Sequence, residues 1–137
     1  MSSNIVQIRN QIVNHYKQKK EENNKKYIKK HNDYWNRYYQ DHRWKELRNW
    51  YYNLHPCCEI CEAQGIVTPA DHVHHCKKFS SGLTEEAKYN LLLNPNNLMS
   101  VCRHDHKIIH KIMDEECKDI VTIKEVIDYK DKYDFNN

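Results

Sequence analysis

The sequence is short of the residues that build turns. Two glycines and three prolines in 137 residues are too few for a chain of many short strands, which argues against an all-β fold and for helices. Long apolar runs are missing too. Nothing approaches the roughly 20 apolar residues that a membrane span requires, so no membrane partner is expected. The opening Met1-Ser2-Ser3-Asn4-Ile5-Val6 has no basic segment followed by an apolar stretch, so no secretory signal is expected either. Apolar residues make up 39% and the mean hydropathy is −1.04, which leaves a short chain with a small core. These absences point to a one-domain cytoplasmic protein.

What is abundant is histidine and cysteine. There are ten histidines and six cysteines, the latter being Cys57, Cys58, Cys61, Cys76, Cys102 and Cys117. Without an export signal the thiols are expected to be reduced, and clustered thiols then read as metal ligands before disulfides. Charge is also unevenly spread. Residues 1–56 hold 12 Lys/Arg and 5 Asp/Glu, a net of +7, whereas residues 57–137 hold 10 and 14, a net of −4. A basic arm before a mildly acidic body suits a polyanionic partner, and equally a solvated lysine-rich helix face.

Residues 4–31 read as helix, with Ile5, Ile8, Ile12 and Tyr16 at helical spacing. Lys17 to Lys30 is nearly all polar, as in a projecting helix. A second helix is expected from Asp33 to Asn53, stopped at His55-Pro56 because a residue before proline is pushed out of the helical region. Asp71–Cys76 and Leu98–Val101 read as short strands. Thr84 caps a helix to Leu92, and Asn94-Pro95-Asn96-Asn97 is turn chemistry. Asp105–Met113 reads as helix, and Thr122-Ile123-Lys124-Glu125 is a capping box opening a last helix to about Tyr133. The organisation expected is a basic helical arm at 1–40, a core at 41–113 and a helical extension at 114–137.

Cys58-Glu59-Ile60-Cys61 is a knuckle that points two thiolates at one position, as tetrahedral zinc requires. Cys102-Arg103-His104-Asp105 stands where the second pair belongs. It ends in Asp105, whose carboxylate is an acceptable zinc ligand; His104 is the competing fourth ligand, and Cys57 a substitute in the first pair. A structural zinc would staple distant segments of a small core. Cys76 and Cys117 have no partner at useful spacing and read as small apolar residues.

His74 and His75 are adjacent, which permits a division of labour between holding an ion and accepting a proton. His106 and His110 sit four apart on a helix and so share a face, a well-placed ligand pair. Asn97, at a turn between these groups, can brace the loop. Asp71 and His72 read as surface residues, the alternative being a ligand or a bond that supports one.

Taken together, Pro56-x-Cys58-x-x-Cys61, His74-His75, Asn97, Cys102 and His106 resemble the HNH nuclease family. The resemblance spans roughly residues 42–112 and includes the lead-in Arg43-Trp44-Lys45-Glu46-Leu47-Arg48. It implies an α+β, mostly helical chain with a ββα-metal core stapled by structural zinc, hydrolysing phosphodiester bonds of DNA. His75 would be the general base, and Asn97 would hold the loop and orient it. His74 and His106 would hold the catalytic divalent ion (Mg²⁺, Mn²⁺, Ni²⁺ or Zn²⁺), with His110 as third ligand or phosphate contact. Cys58, Cys61, Cys102 and Asp105 would hold the structural Zn²⁺. Arg37, Arg43, Lys45 and Arg48 could contact phosphates. Residues 76–96, with the helix 84–92, form a long insertion expected to shape substrate access. The alternative is a non-catalytic zinc-stapled DNA-binding module of the same fold. Small members of the family are common in phage and mobile elements, and a targeting protein partner is conceivable.

Overall fold

Caps decide where the helices begin and end. In a computed structural model, which describes residues 2–133, the first helix α1 (Ser2–Tyr39) runs unbroken for 38 residues. The break expected near Asp33 therefore lies at Gln40-Asp41. The reason is local: Asp41 turns extended, accepts the Arg43 backbone N–H at 2.9 Å, and so starts α2 (His42–Leu54). The Arg43 guanidinium closes back on both Asp41 oxygens, at 3.1 and 2.9 Å. No glycine or proline interrupts the stretch before it. The chain forms two compact units, Met1–Gln40 and Asp41–Asn137. Met1 and the last four residues of the expected extension lie outside the described residues.

Within the second unit, α2 ends at Leu54 and is capped by His55, the residue before Pro56, whose N–H reaches Tyr51 O at 2.9 Å. The knuckle forms a single turn of helix, α3 (Glu59–Ala63), which the sequence did not announce. Gly65, at φ +75°, then reverses the chain, a conformation glycine adopts without steric cost.

Two strands follow far apart in sequence. β1 (His72–His75) pairs antiparallel with β2 (Leu98–Val101), His74 opposite Met99 and His75 opposite Leu98. Between them lies α4 (Glu85–Leu92), whose Thr84 cap accepts the Ala87 N–H at 3.1 Å. Helix α5 (Arg103–Glu116) is longer than the expected 105–113. Cys102 caps it through the Asp105 N–H, and Asp71 accepts the Arg103 N–H at 2.7 Å, bringing a carboxylate to the positive end of the helix. Helix α6 (Ile123–Tyr133) opens with the expected capping contacts between Thr122 and Glu125, at 3.2 and 3.3 Å.

The core lies between α3, β2, α5 and α6. All four residues of β2 are buried, and Ile108, Ile109, Ile112 and Met113 of α5 pack with Ile60, Val101, Val121 and Val126. Their spacing in α5 puts them on one face and leaves His106 and His110 beside it. The protein is mostly helical with one small sheet. Among the described residues no helix is long and apolar enough to cross a membrane.

Candidate functional site

Strand β1, the knuckle helix α3 and helix α5 bring two groups of ligand-type side chains together. In the first, ligand atoms of His74, His106 and His110 all lie within 4.8 Å of one another. Alternation along β1 puts His72 and His74 on one face and His75 on the other. The His74 ring lies 5.4 Å from that of His106 and 5.8 Å from that of His110. His72 is exposed, as expected, and its ring also stacks on that of His106 at 4.6 Å.

The donor set fits a cation. His74 Nε2 is buried and has no hydrogen-bond partner, a state that costs energy unless something occupies its lone pair. His106 Nε2 and His110 Nε2 are 3.0 Å apart. Two nitrogens each about 2.1 Å from one ion stand about 3.0–3.4 Å from each other, depending on coordination geometry. The rings are also kept neutral, as ligation requires. Burial, then the neighbouring His106, His110, His75 and Lys78, pushes His74 down to about 3. Burial, His110 and His72 push His106 down to about 4. His110 is lowered as well, by burial and then Lys78.

His75 lies on the other face of β1 and is buried. Its ring lies 4.4 Å from Trp44 of α2 and 5.2 Å from Phe79. His75 Nε2 is 3.0 Å from Leu92 O. A carbonyl only accepts, so Nε2 carries the proton and the basic lone pair belongs to Nδ1. Burial lowers its pKa and the Leu92 bond opposes this in part, so the ring is neutral at neutral pH. That is the protonation state a general base needs.

Asn97 closes the loop after β1. Its carbonyl accepts the Lys77 N–H at 2.8 Å, and its amide donates to Lys77 O and Leu91 O, each at 3.0 Å. The Cys76 N–H reaches Asn97 O at 2.8 Å. The insertion expected only to shape access thus serves the site directly. The last carbonyls of a helix have no partner within it, and α4 spends those of Leu91 and Leu92 on Asn97 and His75.

The second group is Cys58, Cys61, Cys102 and Asp105, all buried, with ligand atoms again within 4.8 Å of one another. Cys58 Sγ and Cys61 Sγ each lie 3.2 Å from Asp105 Oδ2. Tetrahedral ligands at zinc distances stand about 3.5 Å apart, so the spacing fits. His104, the competing fourth ligand, is exposed, and Cys57 is only half-buried; neither belongs to this cluster. Burial, with Asp105 and Cys58 beside it, pushes the Cys61 thiol up to about 11. Burial, Asp105 and Cys58 push Cys102 up to about 12. Burial would raise Asp105 too, but Lys130 and the two thiols outweigh it and hold the carboxyl below its ordinary value.

Lys130 is a residue that reading by motif missed. It is 4% exposed, pairs with Asp105 Oδ1, and donates to Gln64 Oε1 at 3.1 Å. The signal was present: Ile123, Val126, Ile127 and Lys130 share the inward stripe of α6. Glu59 was also passed over. Its Oε2 accepts from Tyr51 OH and from the Ser100 N–H, both at 2.7 Å, tying α2 and β2 to the knuckle.

Of the cations proposed for nucleic acid, Arg43, Lys45 and Arg48 are exposed on α2. Arg43 is held by Asp41 and lies over the Tyr89 ring. Arg37, on α1, lies over Tyr34 and Tyr38. Of the remaining cysteines, Cys76 packs against the core, whereas Cys117 is not the apolar filler expected: it is exposed, at the end of α5.

No family model and no curated protein matches this chain. Among solved structures, the chain is similar to the HNH endonuclease of the deep-sea thermophilic bacteriophage GVE2, crystallised with manganese ion. The identity is 22% and the TM-score 0.47, over 67% of this chain and 94% of that one.

Proposed function

We propose that this chain is a metal-dependent endonuclease that hydrolyses phosphodiester bonds of DNA. What supports the reading is one arrangement: three neutral imidazoles converge from hairpin and helix, while a fourth, next in sequence, is held by a backbone carbonyl in the tautomer of a base. His75 Nδ1 takes the proton from the attacking water. Trp44 and Leu92 fix the ring that does so, and Asn97 fixes the backbone two residues beyond it. His74, His106 and His110 would hold a divalent ion, which when bound supplies positive charge against the developing charge at phosphorus and the departing oxygen. Arg37, Arg43, Lys45 and Arg48 would contact phosphates along the strand. Cys58, Cys61, Cys102 and Asp105 would hold a structural zinc that ties the knuckle to the start of α5.

The test is cleavage of supercoiled DNA with Mg²⁺, Mn²⁺ or Ni²⁺, with and without chelator. The wild type is expected to cut. His75→Ala should lose about 10²–10⁴-fold in rate, the usual share of a general base, while still binding Mn²⁺ in calorimetry. A wild type that binds DNA yet leaves it intact with every metal would instead be a zinc-stapled binding module.

A further inference from the structure

The sulfur-rich cluster contains one ligand that is not a thiol, and that ligand has a buried cation against it. Three thiolates and a carboxylate carry four negative charges, two more than a zinc ion neutralises. Such a surplus inside a low-dielectric core is costly unless a positive group stands nearby. Asp105 has no exposed surface. Its two oxygens are divided in their work: Oδ2 faces the sulfurs of Cys58 and Cys61, and Oδ1 faces the Lys130 ammonium. Lys130 is itself anchored by Gln64, which follows directly on α3 and its Cys61. The lysine therefore reaches from α6 across the core to the carboxylate and to the end of the knuckle helix.

We propose that Lys130 is the positioning residue of this cluster, holding Asp105 as a one-oxygen ligand and offsetting part of the surplus negative charge of the zinc site. The inference rests on the zinc reading given above. A carboxylate left free to rotate offers either oxygen, or both, or swings away; with Oδ1 engaged, only Oδ2 is presented. The same pair ties α6 to the ligand cluster, so the last helix is latched by charge as well as by Val126 and its neighbours.

Zinc affinity, measured by competition with a chromophoric chelator, tests this on the full chain. Wild type should bind Zn²⁺ at a site that Cys58→Ser abolishes and His106→Ala leaves in place, which separates it from any zinc taken up by the imidazole cluster. Lys130→Met should weaken zinc by about 10–100-fold, the usual loss when a ligand's supporting partner is removed. In an Asp105→Cys background, where the charge is the same but no carboxylate needs orienting, the same Lys130→Met change should cost clearly less than in the wild type, leaving only the charge effect. With Co²⁺ as probe, Lys130→Met should keep the thiolate charge-transfer bands and shift the ligand-field bands, because only the oxygen ligand is disturbed. Gln64→Ala, which loosens the lysine without removing its charge, should weaken zinc several-fold and keeps the test decisive should Lys130→Met not fold. Unchanged zinc affinity in Lys130→Met or in Gln64→Ala overturns the proposal. An equal loss from Lys130→Met in both backgrounds overturns it too. A wild type that binds no zinc fails at the earlier step, and removes the zinc reading itself.

Discussion

At the scale of single residues, the site is governed by what burial does to ionisable groups. Folded His74 and His106, at about 3 and about 4, bind protons less readily than the same side chains at their ordinary value of 6.5. Stability is therefore complete above pH 6.5 and is lost as the pH falls towards 4 and then 3. Urea midpoints should be flat from pH 8 to 7 and drop steeply below 6. Replacing His74 by Gln should flatten the acid limb. The thiols behave in the opposite sense. Cys61 and Cys102 are protonated at neutral pH without a cation and must ionise to bind one. Zinc uptake at pH 7 should release at least two protons, and affinity should fall by at least about 100-fold per unit of acidification, both measurable with an indicator dye. At this scale the sequence was legible wherever side chains cluster by spacing. His106 and His110 announce themselves by four residues, His74 and His75 by adjacency. The carbonyls of Leu91 and Leu92 could not be read, since any residue carries one. Lys130 lies 25 positions from Asp105, and no local pattern links the two.

At the scale of elements, boundaries follow hydrogen bonds more than periodicity. The capping box at Thr122 and the Thr84 cap were readable because the partner lies within one turn. Asp41 was not singled out over Asp33, since both precede helical sequence and only Asp41 is closed by its own Arg43. Thr122→Ala should cost about 1 kcal/mol by thermal or chemical melting. The end of α5 is a weak point. Cys117 sits at φ 51° and ψ 47°, a left-handed conformation that penalises a side chain. Cys117→Gly should raise stability by about 0.5–1 kcal/mol and remove an exposed thiol at no cost to zinc binding. Gly82 has the opposite character. A Cβ there would lie 2.6 Å from Lys88 N and 2.8 Å from Ala87 C, so the turn before α4 touches the helix backbone. Gly82→Ala should cost about 1–3 kcal/mol and, by shifting α4, loosen the Leu92 bond to His75. A melting curve combined with the pH profile of cleavage would read both effects.

At the scale of the whole molecule, two metal centres of different chemistry would share one small core. A sulfur-rich site whose thiols are protonated when empty and an imidazole site on the hairpin face should lose their ions separately. Mild chelation is expected to stop cleavage with the fold intact, and a zinc-specific chelator to melt the second unit, as circular dichroism would show. The charge asymmetry, +7 over residues 1–56 against −4 over the rest, predicts DNA binding that weakens steeply with salt. Glutamine in place of Lys17, Lys19 and Lys20 should lower that salt slope. Helix α5 carries the remaining consequence. Asp105 and His106 are consecutive, about 100° apart around the same turn, and each belongs to a different ligand cluster. With an ion in each cluster the helix would work as a rigid axle between two bearings: rolling it to suit one would unseat the other. Cadmium, a larger ion with longer bonds to sulfur, would push on Asp105 and so turn His106. The cutting rate would then register which ion sits at the far bearing.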